Sequence, residues 1–103
     1  MAYAHPLDVL GDPTRRRIFE RLRGGPLPVG ELAADLPVSR PAVSQHLRVL
    51  KEAGLVVDRK VGTRRLYEVA PDGLQGLRDW FDDFWSEALS AYKDAAGREG
   101  RQP

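Results

Sequence analysis

The chain has 103 residues and no cysteine, which removes disulfides, thiolate metal sites and thiol redox chemistry. No apolar run approaches the roughly 18–20 residues that span a bilayer. The opening Met-Ala-Tyr-Ala-His-Pro lacks the apolar core of a secretory leader, so a cytoplasmic protein without membrane contact is expected. Catalytic signatures are missing too, with no glycine-rich phosphate loop and no nucleophile elbow. Ser44 and His46, two positions apart on one helix, point about 200° apart and cannot meet as nucleophile and base. His5 stands alone near a terminus and reads as solvated rather than as a ligand. No enzyme and no cofactor are expected, and the length allows one domain of modest core, or a domain plus a dimerisation element.

What is present is a segregated charge. The net charge is only +1, but residues 37–67 carry Arg40, Arg48, Lys51, Arg59, Lys60, Arg64 and Arg65 against Glu52 and Asp58, a local +5. Residues 70–103 carry four basic and seven acidic residues, a local −3. A basic middle and an acidic end imply that one face meets an anion and the other does not. Chance clustering on a solvated surface is the plain alternative, but the basic residues coincide with a well-capped helix and a hairpin.

That helix is Ser39–Ala53. Ser39 is suited to cap it, Pro41 fits its first turn, and Gly54 suits a left-handed stop. Val43, Leu47 and Leu50 fall on one face. The opposite face carries Pro41, Ser44, Gln45 and Arg48, flanked by Arg40 and Lys51. Such a helix suits a DNA groove. Before it, Gly30–Leu36 reads as a short helix and Pro37-Val38 as a turn, which together make a helix-turn-helix.

Upstream, Leu7, Val9 and Leu10 fit a short helix closing near Gly11. Asp12 and Pro13 open a further helix that stops at Gly24-Gly25, with Ile18, Phe19 and Leu22 facing the core. Arg15, Arg16 and Arg17 on it could touch phosphate or only solubilise, and Arg16–Glu20 is spaced as an i,i+4 pair. Pro26–Val29 reads as an extended linker.

After Gly54 the period changes from about 3.6 to 2. Leu55–Lys60 and Arg64–Val69 read as two strands around a Val61-Gly62-Thr63 tip, a basic wing with Lys60, Arg64 and Arg65. Such a wing can follow phosphates or enter the minor groove, although charge on an edge hairpin also resists aggregation. Ala70–Gly73 reads as a loop and about Leu74–Ala96 as a long helix with two apolar stripes. Leu74, Leu77, Phe81, Phe84, Ala88, Ala91 and Ala95 recur in steps of three and four, and Trp80, Trp85, Leu89 and Tyr92 broaden the seam. One stripe would face the chain's own core and the other a second subunit. The expected organisation is one domain over residues 1–97, with the wing at about 55–69, the dimerisation helix at about 74–96 and a flexible tail at 98–103. The fold class is mainly α, an α+β winged helix with a two-stranded wing.

Asp12–Ile18, Gly30–Ala33, Ser39–Leu50, Ala53–Val56 and Val61–Tyr67 together resemble the ArsR/SmtB family of bacterial winged helix-turn-helix repressors. The resemblance implies a homodimer paired through its first and last helices, a palindromic operator in double-stranded DNA, and repression relieved by a signal. It places Arg40, Ser44, Gln45 and Arg48 at or near base edges, where arginine can read guanine and glutamine adenine. Ser39, Lys51, Thr63, Arg64 and Arg65 then fall to phosphates, with Pro41 and Lys60 beside them. His46 stands near the core stripe and is expected to pack or to orient the helix. Leu7, Leu10, Leu77, Trp80, Phe81, Phe84, Trp85, Ala88, Leu89 and Tyr92 are expected at the dimer interface.

The departures from the family are as informative. The family's metal sensors carry cysteines in the short helix before the turn, where this chain has Glu31–Leu36. Others use Asp and His along the last helix, where this chain has Asp79, Asp82, Asp83 and Glu87 but no histidine. Carboxylates alone suit transition metals poorly, so no metal is expected and Arg78–Asp82 reads as a surface pair. This looks like a metal-independent branch. Two alternatives remain: a winged-helix protein-interaction module, and the same regulator controlled by a small apolar effector near Trp80, Phe84 and Trp85.

Overall fold

The structure, a computed structural model, describes residues 5–100. The first helix, α1, spans Pro6–Val9, and His5 caps it: the His5 Nδ1 accepts from the Leu7 N–H at 3.1 Å. His5 is therefore more than a solvated side chain, and its ring also meets Trp80 edge-on at 5.7 Å. Helix α2 spans Pro13–Arg21 and opens as its sequence predicts, with Asp12 Oδ2 accepting from Arg15 N–H at 2.9 Å. A single 3₁₀ turn, Leu22–Gly24, tightens its end.

The segment read as a linker is partly a strand. Leu27–Pro28 forms β1, followed by α3 at Val29–Ala34. β1 pairs antiparallel with the wing, Leu27 opposite Tyr67 and Pro28 opposite Leu66. The sheet is thus three-stranded, in the order β1-β3-β2, rather than two-stranded. A two-residue strand shows no periodicity, and a proline without an N–H is tolerated on a sheet edge.

Helix α4, Arg40–Glu52, has the start and stop that its residues encode. Ser39 Oγ accepts from Ala42 N–H at 3.3 Å. At the other end Gly54 N–H donates to Lys51 O and Leu55 N–H to Leu50 O, both at 3.0 Å, with Gly54 at φ 78°. This paired closure is a Schellman motif, which satisfies two carbonyls that the helix leaves open. Strands β2 (Val56–Val61) and β3 (Arg64–Val69) pair from Val56↔Val69 to Val61↔Arg64. The tip is shorter than expected, two residues, with Gly62 at φ 64°.

Helix α5 runs Pro71–Gly100. It begins three residues before the expected Leu74 and absorbs the loop predicted at Ala70–Gly73. Gly73 lies inside it because of a close approach: a Cβ there would stand 1.9 Å from Gly54 O. The expected tail is helical as far as Gly100, and residues 101–103 lie outside the described residues.

Val9, Ile18, Leu22, Leu32, Val43, Leu47, Leu50, Leu55, Val56 and Leu77 form the core, so every helix contributes to it. Leu77 corrects one expectation. Its spacing puts it with the residues of the partner face, yet it is 8 % exposed in the chain's own core. One apolar face covers the core near Leu77 and then runs on uncovered through Phe81, Phe84, Trp85 and Tyr92. The part of α5 beyond Leu77 projects past a small core and gives a radius of gyration of 18.9 Å, against about 13 Å for a compact chain of this size.

Candidate nucleic-acid interface

The interface is built on α4. Val43, Leu47 and Leu50 are fully buried, which turns Ser44, Gln45 and Arg48 outward. These three, together with Ser39, Arg40, Pro41, Lys51, Lys60, Thr63, Arg64 and Arg65, are all exposed. His46 is half-buried beside the core stripe, in keeping with a packing role.

The start of α4 and the wing enclose a cleft of about 580 Å³ lined by Pro28, Val29, Gly30, Glu31, Arg40, Ser44, Thr63, Arg64, Arg65 and Tyr67. Five sequence-predicted residues therefore converge there: Arg40, Ser44, Thr63, Arg64 and Arg65. Ser39, Pro41, Gln45, Arg48, Lys51 and Lys60 lie outside that cleft.

The structure adds partners that residue types alone did not reveal. Arg64 meets Glu31 of α3 at 3.3 Å, and Arg48 meets Glu52 at 3.3 Å. Arg59 meets Glu68 across the hairpin at 3.1 Å. Asp58 takes two cations, Lys51 Nζ at 2.6 Å on Oδ1 and Arg65 Nη1 at 2.5 Å on Oδ2, and its side chain is only 7 % exposed. The Lys51 ammonium holds this carboxyl below the usual carboxylate range, outweighing the upward push of desolvation, and the Arg65 guanidinium adds to the lowering. Asp58 and Glu52 are the two acids of the basic stretch, and an acid between basic strand and basic helix is the signal that could have marked Asp58.

The arginines of α2 divide differently from the expectation. Arg15 Nε donates to Val9 O at 2.9 Å and Arg16 Nη1 to Leu10 O at 3.1 Å. Both close the C-terminal end of α1, so Arg16 does not serve the predicted pair with Glu20. Arg21 pairs with Asp35. On α5, Arg78 and Asp82 do pair, loosely at 3.9 Å and well exposed. Among the described residues no three His, Asp or Glu side chains cluster as a metal site would require, and no helix is long and apolar enough to cross a membrane.

A capped helix with a polar outer face, a preceding short helix across a tight turn and a basic hairpin beside it define a winged helix-turn-helix DNA-binding protein. Comparison with known proteins agrees. A family model described as a helix-turn-helix domain matches residues 10–59. The helix-turn-helix-type transcriptional regulator Rv2034 of Mycobacterium tuberculosis is 62 % identical over 91 residues, covering 88 % of this chain and 85 % of the relative. The transcriptional repressor SdpR of Bacillus subtilis is 35 % identical over 75 residues, covering 73 % and 83 %. A solved homodimeric winged helix-turn-helix DNA-binding domain from Mycobacterium bovis superposes with a TM-score of 0.64 at 27 % identity, covering 84 % and 80 %. The chain belongs to the ArsR/SmtB family of transcriptional regulators.

Proposed function

We propose that this chain is a homodimeric, sequence-specific repressor, autoregulatory and metal-independent, acting on a palindromic operator. The observation that carries this reading is α4 itself. Its buried stripe fixes the helix on the core, and its opposite face offers Ser44, Gln45 and Arg48 free of core packing. Arg40 and Gln45 read base edges in the major groove, with Ser44 and Arg48 beside them. Ser39, Lys51, Lys60, Thr63, Arg64 and Arg65 fix the register on phosphates or at the minor-groove rim. Residues 1–97 act as one domain. The uncovered aromatic face of α5 supports pairing, as does the homodimer solved for the Mycobacterium bovis relative. Repression is the role named for the Bacillus subtilis relative.

The test is a gel shift and footprint on the DNA upstream of the chain's own gene. A protected, two-fold related pair of half-sites about one helical turn apart is expected. A folded dimer that binds this DNA no better than a scrambled duplex would overturn the proposal.

A further inference from the structure

The basic residues of the recognition helix and those of the wing are joined through one carboxylate. Asp58, on β2, gives one oxygen to Lys51 in the last turn of α4 and the other to Arg65 on β3. Its two partners remain more than half exposed while Asp58 itself is screened from solvent. Arg48–Glu52 and Arg64–Glu31 leave both side chains more than half exposed, so each arginine can leave its carboxylate for DNA at small cost, and Arg59–Glu68 joins only the two strands of the hairpin. The Asp58 pairings differ because one screened anion serves two elements at once. Along the hairpin, Asp58 lies opposite Tyr67 and Arg65 opposite Lys60, so the Asp58–Arg65 contact runs diagonally across the strands. The Lys51 contact adds a polar tie between that ribbon and α4, beyond the core packing of Leu55 and Val56 at the ribbon's base.

We infer that Asp58 is a positioning residue for DNA binding: it clasps the wing to the recognition helix and holds Lys51 and Arg65 side by side as one phosphate-directed pair. The inference rests on the reading of α4 and the wing as the DNA-facing elements. It gives the wing a fixed angle to the helix, so that contacts from both are made in one register. It also moderates charge, since one of the two cations is neutralised before any DNA arrives. Removing the carboxylate therefore has opposite effects on the two kinds of DNA. Non-cognate duplex gains an unneutralised cation and a mobile wing that adapts to any sequence, while the cognate site loses its pre-set register.

Asp58→Asn keeps the shape and removes the charge. In the DNA-free protein, amide exchange at Val61–Arg65 is expected to quicken at least tenfold, with the amides of α2 and α4 unchanged. Binding is then compared by fluorescence anisotropy on a duplex from the upstream DNA and on a scrambled duplex of equal composition. The scrambled duplex should bind tighter, with a steeper salt dependence, and the preference for the upstream duplex should fall at least tenfold. A purely structural staple would weaken both duplexes together, and a purely electrostatic residue would strengthen both equally; either result overturns the inference. So does unchanged exchange in the wing. Where Asp58→Asn fails to fold, Lys51→Gln and Arg65→Gln each remove one arm of the clasp, and each should quicken wing exchange. Absence of any preference in the unaltered protein would instead count against the repressor reading, while exchange in the wing still decides whether the clasp exists.

Discussion

At the residue scale, the proposed DNA face of this protein is partly self-neutralised. Arg64 rests against Glu31 and Arg48 against Glu52, so in the proposed complex DNA groups replace carboxylates rather than simply meet free cations. Exposed pairs of this kind are worth about 0–1 kcal/mol. Glu31→Gln should release Arg64 and tighten binding to every sequence by up to about fivefold, measured by anisotropy on cognate and scrambled duplexes. Arg64→Ala should weaken both. Arg40→Ala and Gln45→Ala should behave differently, each costing about 1–3 kcal/mol on the cognate duplex and little on the scrambled one. The acids also set the response to pH. Asp12 is held below the usual carboxylate range by the Arg15 N–H, and Asp58 by Lys51 and then Arg65. A depressed folded pKa means that their stabilisation is complete above the unfolded value of about 3.9 and is lost as pH falls below it. The contribution of these two groups to the melting temperature should be flat from pH 8 to about 5 and should fall below about 4, with a shallower fall in Asp58→Asn.

At the element scale, the two ends of α4 show what a sequence can and cannot display. Ser39, Pro41 and Gly54 mark their positions by local chemistry, so the helix and its buried stripe were legible to within a residue. Ser39→Ala should cost about 0.5–2 kcal/mol in chemical denaturation, the ordinary worth of such a cap. Gly73 shows the opposite case. By itself it reads as a turn residue, because glycine and the preceding Pro71-Asp72 favour turns. Its reason for being there is Gly54 O, nineteen positions away, against which a Cβ would stand at 1.9 Å. Strand β1 was hidden for the same reason, since Leu27–Pro28 becomes a strand only through its pairing to Leu66 and Tyr67. The pairing of Arg64 with Glu31 was likewise invisible until the chain was folded, whereas Asp58 showed in the sequence only as an acid in a basic stretch, without its two partners. Gly73→Ala meets backbone that cannot swing aside, so it should destabilise by about 1–3 kcal/mol, seen as a lower denaturation midpoint with an unchanged slope. Because Gly73 seats α5 on the closing turn of α4, this variant should also weaken DNA binding beyond its effect on folding.

At the scale of the whole molecule, the exposed end of α5 sets the spacing of two reading heads in the proposed dimer. Phe81, Phe84, Trp85 and Tyr92 are 52–72 % exposed, on a helix that extends past the core it covers with Leu77. Trp80 stacks on Phe84 at 5.5 Å and meets His5 edge-on, so the cap of α1 and the aromatic face of α5 form one surface. Leu7 and Leu10 are partly buried against the chain's own core. An aromatic side chain buries about 150–250 Å² when covered, which makes Phe84 and Trp85 natural anchors for a second copy. A carboxylate in place of Phe84 would be buried without a partner if the same contact formed. Phe84→Glu should therefore leave the α2–α4 core and its circular dichroism intact while weakening dimerisation at least about 100-fold, as an anchor residue would, by sedimentation equilibrium. The DNA consequence follows from linkage of two half-sites. In a dimer the second α4 binds at a high effective concentration, whereas a monomer must bind each half-site independently. The variant should therefore retain its affinity for a duplex holding one half-site and lose its advantage on the full operator. Equal losses on both duplexes would mean that α5 supports the reading head directly and does not act by pairing.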